Sequence, residues 1–130
     1  MKELSTENIK TDLSLREYGV YKIYLFKDNT ALPVSRFLEI DKSGLIYIGA
    51  AEKTKLAYRL NCFIASMNKE KKQNNHSGGI KISKNLKLDQ YASQFVLMYE
   101  VNITKDAKEK ERQLLDKYVS YYGEVPPLNG

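Results

Sequence analysis

Residues 18–26 read Tyr-Gly-Val-Tyr-Lys-Ile-Tyr-Leu-Phe and run into Lys27-Asp28-Asn29. Aromatic and β-branched side chains dominate the run, as in a buried pleated strand, and Asp and Asn are residues that turns use. The stretch is therefore a strand ending near residue 27. Two more apolar runs have the same character: residues 45–49, after Lys42-Ser43-Gly44, and Phe95 to Val101. The connection 27–44 contains Pro33 and is too long for a tight hairpin, so the first two strands should be antiparallel neighbours joined by a protruding loop.

Helical periodicity takes over between the strands and after them. Leu56, Leu60, Phe63, Ile64 and Met67 recur at helical spacing behind Thr54, a candidate N-cap, and Arg59 borders their stripe. The run Asn68 to Asn75 reads as a polar loop, and 79–88 as a short helix. Asp106 and Glu109 form a capping-box-like start for a last helix that runs to Tyr122 and stops at Gly123. The fold class is α+β: a small three-stranded sheet, mixed or antiparallel, flanked by helices. At 130 residues the chain fits one domain, an N-terminal segment (1–17) followed by a core (18–130).

Composition narrows the function classes. No stretch approaches the length of an apolar membrane span and the N-terminus has no apolar signal core, so a cytoplasmic protein with no membrane partner is expected. The single cysteine, Cys62, cannot form an internal disulfide and reads as a small buried hydrophobe. The net charge of +5 is unevenly spread: residues 52–87 hold nine Lys or Arg against two Glu, a local +7. Such a segment is either a solvated lysine-rich surface or a site for a polyanion, and Arg59 and His76 within it favour the second. Lys53, Lys55, Lys69, Lys71, Lys72, Lys81 and Lys84 are its candidate phosphate contacts.

Glu111 breaks the pattern of the last helix. At about 100° per residue, Ala107, Leu114, Leu115, Tyr118, Val119 and Tyr122 all fall within about 80° of it, so a carboxylate sits at the centre of an apolar stripe. A buried carboxylate needs a partner or a raised pKa. A salt bridge to a Lys or Arg, a boundary position that lets it reach water, and a metal or catalytic role all fit the sequence.

Gly19-Val20-Tyr21 and Tyr47-Ile48-Gly49 stand on adjacent strands, followed in order by Arg59, Asn75-His76-Ser77-Gly78-Gly79, Glu111 and Pro126-Pro127-Leu128-Asn129. Over nearly the whole chain this ordered set resembles the GIY-YIG endonuclease superfamily. The resemblance implies a metal-dependent DNA endonuclease acting on double-stranded DNA. Tyr21 would orient or deprotonate the attacking water, helped by nearby positive charge, and Tyr47 would support it. Arg59 would hold the scissile phosphate, Glu111 would bind one Mg²⁺ (or Mn²⁺) per site, and Asn129 would brace the site. Where relatives carry a proton-transferring side chain one helical turn after the Arg, this chain has Phe63. His76 either takes over that role from its loop or is a surface histidine. The loop 27–44 is open to contact with DNA or with a second subunit of a homodimer. A non-cleaving nucleic-acid-binding or regulatory module on the same fold is the alternative, and Phe63 is the residue in its favour.

Overall fold

The computed structural model describes residues 1–67 and 94–130. In chain order it contains β1 (Lys2–Glu3), α1 (Thr6–Thr11), a 3-10 turn (Leu13–Arg16), β2 (Gly19–Lys27), β3 (Thr30–Ala31), β4 (Val34–Ser35), β5 (Ile40–Asp41) and β6 (Leu45–Ala51). Then come α2 (Leu56–Met67), β7 (Val96–Ile103) and α3 (Ala107–Tyr122). The expected polar loop from residue 68 and short helix over 79–88 lie outside the described residues.

The strand read from residues 18–26 is the axis of the sheet. On one side β7 pairs with β2 from Gly19↔Ile103 to Phe26↔Val96. On the other side β6 pairs with residues 19–24 of β2, and β3 with Phe26 and Lys27. The strand β1 adds to the outer edge of β7 through Lys2↔Tyr99 and Glu3↔Met98. The sheet thus has five strands rather than the expected three, and all of its pairs are antiparallel. Two-residue strands such as β1 and β3 are too short to show a period in sequence, which is why three were expected.

The connection 27–44 is also not a single loop. Asp28 and Asn29 take positive φ values of 50° and 64°, as a type I′ turn requires, and return the chain tightly to β3. A second small hairpin follows, with Val34 opposite Asp41 and Ser35 opposite Ile40. A tight hairpin therefore does leave β2, and only the remainder of the connection projects.

Alternation along β2 sorts its side chains into two cores, as the period of two demands. Tyr21, Ile23 and Leu25 face α2, where they join Leu56, Leu60 and Phe63 together with Leu4, Ile9 and Leu15 from the N-terminal segment. Val20 and Tyr24 face α3 and pack with Leu45, Ile48 and Tyr118, with Phe26, Leu114, Leu115 and Tyr122 at the margin. A register shift opposite Ile23 and Tyr24 lets both Ile46 and Tyr47 enter the α2-side core. The order of layers is helix, sheet, helix. Cys62 is buried, as its neighbours suggested.

The helix ends differ from the sequence reading in detail. The first residue of α2 is Leu56, two past Thr54; the Lys55 carbonyl accepts from the Arg59 N–H, and the Leu56 N–H donates to the Glu17 carbonyl. The cap of α3 falls on Asp106 as expected, but its side chain makes no capping bond. Its expected partner Glu109 is engaged by Arg112 one turn on instead, so the capping box does not form. The stop at Gly123 is as read: a left-handed residue (φ 79°) whose N–H donates to the Val119 carbonyl. Among the described residues no helix is long and apolar enough to cross a membrane.

Candidate active site

Cross-strand pairing places Tyr21 directly opposite Gly49, and Ile23 opposite Tyr47. The two tyrosines therefore point to the same face, with ring centroids 6.1 Å apart. The Tyr21 ring lies across Gly49: a Cβ at that position would meet the Tyr21 Oη at 2.5 Å and Tyr47 Cε2 at 2.8 Å. Gly19 meets a different neighbour: a Cβ there would run into the backbone carbonyl of Asn102 on β7. Gly49 is the space the Tyr21 ring occupies over the sheet, and Gly19 the space that lets the β7 backbone approach β2 closely. Phe63 closes the far side of Tyr47, its ring 6.0 Å away, and is fully buried.

Arg59 comes up from the first turns of α2 and hydrogen-bonds the phenol of Tyr21. With no acceptor on a guanidinium, Arg59 must be the donor and the phenol oxygen the acceptor. Burial is the largest influence on Tyr21 and drives its pKa far up; Tyr47 adds to this, while Arg59 opposes it. The sequence reading expected nearby positive charge to help Tyr21 ionise. In the folded protein burial wins, and Tyr21 is a neutral phenol held in place by Arg59.

Glu111 is on the first half of α3, its side chain 21% exposed. Burial is the main cause that raises its pKa; the charges of Lys108 and Arg59 pull it back, and Glu52 pushes it further up. Its contact with Lys108, one turn earlier, spans 3.9 Å on a lysine that is itself 64% exposed, too long and too wet to neutralise it. The charge of Glu111 acts on Tyr21 and that of Arg59 on both, so α2 and α3 deliver a side chain each to one end of the sheet, where β2 begins and β6 ends.

Asn129 fixes that end of β6 from outside. Its Oδ1 accepts from the Ile48 N–H at 3.0 Å and its Nδ2 donates to the Ile48 carbonyl at 2.9 Å, between Tyr47 and Gly49. The Leu128 N–H donates to the Ile46 carbonyl at 2.9 Å, so the terminal residues act as a substitute strand. Asn129 is therefore bonded to the backbone of β6 at both its amide oxygen and its amide nitrogen.

Tyr21, Tyr47, Arg59 and Glu111 are thus gathered at one place, with Asn129 behind them. Lys53 and Lys55 are exposed in the turn that leads from β6 to α2. His76, Lys69, Lys71, Lys72, Lys81 and Lys84 lie outside the described residues. In sequence Glu52 reads only as a charge, although it stands directly after β6, the strand that carries Tyr47, and its charge acts on Glu111. Sequence reasoning also passed over Lys108, whose i,i+3 spacing from Glu111 was the available signal. Among the described residues no group of three or more His, Cys, Asp or Glu could jointly hold a metal ion. Compared with known proteins, the chain matches no family model, no curated protein and no solved structure.

Proposed function

We propose that this protein is a divalent-metal-dependent endonuclease that hydrolyses phosphodiester bonds in DNA. The observation that carries the reading is the junction of Tyr21, Arg59 and Glu111: a phenol and a guanidinium in hydrogen-bond contact, beside a half-buried carboxylate that no strong partner among the described residues neutralises. A structural protein gains nothing from keeping such a carboxylate on an apolar helix face.

Each group has a role in this chemistry. Arg59 presents a planar fork to the non-bridging oxygens of the scissile phosphate. Tyr21, kept neutral by burial, orients the attacking water by hydrogen bonding and passes its proton on only when substrate and cation have changed its surroundings. Tyr47 holds the Tyr21 ring in place, and Asn129 holds the strand under both. His76 is the proposed proton donor in place of Phe63. Glu111 would hold Mg²⁺ or Mn²⁺, and such an ion, when bound, supplies positive charge at the leaving oxygen. The fit is that of a hard cation: one carboxylate whose charge needs compensation, with water and phosphate oxygens completing the shell. One protein ligand binds a cation weakly, so cation and DNA bind together. Lys53 and Lys55, and the lysines of 69–84, are the proposed contacts to the phosphate backbone.

Incubation with supercoiled plasmid and Mg²⁺ or Mn²⁺ should give nicked or linear product, and chelator should abolish it. No cleavage across several metals and substrates would overturn the catalytic reading. A second reading, a DNA-binding module that does not cut, is favoured by Phe63 and by the high pKa of Tyr21. It predicts salt-sensitive DNA binding with no product under any metal.

A further inference from the structure

The β4–β5 hairpin presents the largest exposed apolar group among the described residues. Phe37 is 80% exposed, Leu38 62% and Ile40 52%, and Tyr121 on the last turn of α3 is 61% exposed. The hairpin is held rather than loose. Arg36 Nη1 pairs with Glu124 at 2.5 Å and donates to the Val125 carbonyl at 3.1 Å, while the Leu38 N–H donates to the Tyr122 carbonyl at 3.0 Å. Phe37 and Leu38 lie against the space left by Gly123, so hairpin tip and helix end form one surface. These bonds fix the apolar side chains pointing into water.

We infer that this surface is the two-fold interface of a homodimer, in which the hairpin tip and the end of α3 pack against the same elements of a second copy. The area fits. Taking about 200 Å² for a whole aromatic side chain, Phe37 and Tyr121 expose about 280 Å². Leu38 and Ile40 add roughly 150 Å². A standard interface buries about 800 Å² per partner, of which somewhat more than half is apolar, and this surface alone supplies nearly all of that share. The charges fit as well. Glu39 at the tip and Lys117, one turn before Tyr121 on the same face of α3, are both exposed, and neither makes a side-chain ion pair among the described residues. A two-fold axis brings Glu39 of one copy toward Lys117 of the other, the self-complementarity an isologous contact needs. The acidic Glu39 and Glu124 make the same tip unsuited to phosphate.

The inference is independent of the proposed nuclease activity, because oligomeric state is read without substrate. Sedimentation equilibrium of the full chain up to about 100 μM should show a dimer. Phe37→Ser should weaken it at least ~10-fold, as loss of a central aromatic anchor does, with the circular dichroism spectrum unchanged because Phe37 supports no core. Glu39→Lys and Lys117→Glu should each weaken it less, and an equimolar mixture of these two variants should associate more tightly than either alone. A wild-type chain that is monomeric throughout the range overturns the inference, as does a dimer indifferent to Phe37→Ser. A monomer whose affinity for duplex DNA falls on Phe37→Ser would also overturn it and make the tip a wedge between base pairs instead.

Discussion

Two carboxylates lie near opposite ends of α3, Asp41 on β5 beside Tyr118 and Glu111 on the helix itself, and their surroundings could hardly differ more. Asp41 is fully buried, yet it accepts from the Tyr118 hydroxyl at 2.6 Å and the Ser43 N–H at 2.9 Å, with the Ser43 hydroxyl and Tyr122 as further partners. Burial alone would raise its pKa, but these donors hold it below the ordinary carboxylate range. Glu111 is less buried, gathers among the described residues only a lysine at 3.9 Å and the charge of Arg59, and its pKa is raised. A carboxylate wrapped in donors is finished as a structural element. One left short of donors has capacity to spare for a cation or a substrate.

Glu111→Gln tests one side of this contrast. Cleavage should fall by about 10²- to 10⁴-fold, while the melting temperature stays level or rises slightly. The sign follows from linkage: a carboxyl whose folded pKa is raised costs the fold stability once pH exceeds its unfolded value, and the amide removes that cost. A folded and fully active Glu111→Gln protein would remove the metal-ligand role, and a clear loss of stability would make Lys108 its structural partner.

Asp41→Ala tests the other side and should reverse the pattern. Tyr118 and Ser43 would lose their acceptor in a buried place, at about 2–4 kcal/mol of stability by denaturant unfolding. Because the folded pKa of Asp41 is depressed, its stabilisation is complete above the unfolded carboxylate pKa and is lost as pH falls through the folded one. The wild-type chain should therefore lose stability on acidification, and the gap to Asp41→Ala should narrow along with it. An equal gap at neutral and strongly acidic pH would show that Asp41 acts by shape rather than charge. The smallest effect belongs to the exposed lysines. Reversing Lys53 and Lys55 together should flatten the salt dependence of DNA binding by roughly two units if each meets one phosphate, with stability within about 0.5 kcal/mol of the parent. An unaltered slope would make them plain solvated charges.

Sequence alone carried the three main strands, both long helices and the stop at Gly123, because each rests on a sustained period or a single decisive residue. It missed β1, β3, β4 and β5, two residues apiece, whose identity comes only from the strand they pair with. Leu4, Ile9 and Leu15 entered the core unannounced, since α1 and the turn after it are too short to display a stripe. The state of Tyr21 was illegible for another reason. Its pKa is a contest between burial and Arg59, and only three-dimensional packing shows that burial prevails.

The contact between Asn129 and Ile48 joins residues 81 apart in sequence, and it covers the outer rim of β6. That strand, Leu-Ile-Tyr-Ile-Gly-Ala-Ala, has no charge and no proline, which is the composition that templates fibrils once its backbone is left unpaired. Asn129 and Leu128 are thus also a guard against self-association through the sheet. Asn129→Ala should cost about 1–3 kcal/mol, and it should further produce slow, concentration-dependent growth of thioflavin fluorescence under conditions where the parent chain stays clear. Should the variant be destabilised but stay clear, some other element shields the rim; should it aggregate, the last residues keep this protein soluble as well as keeping its site in register.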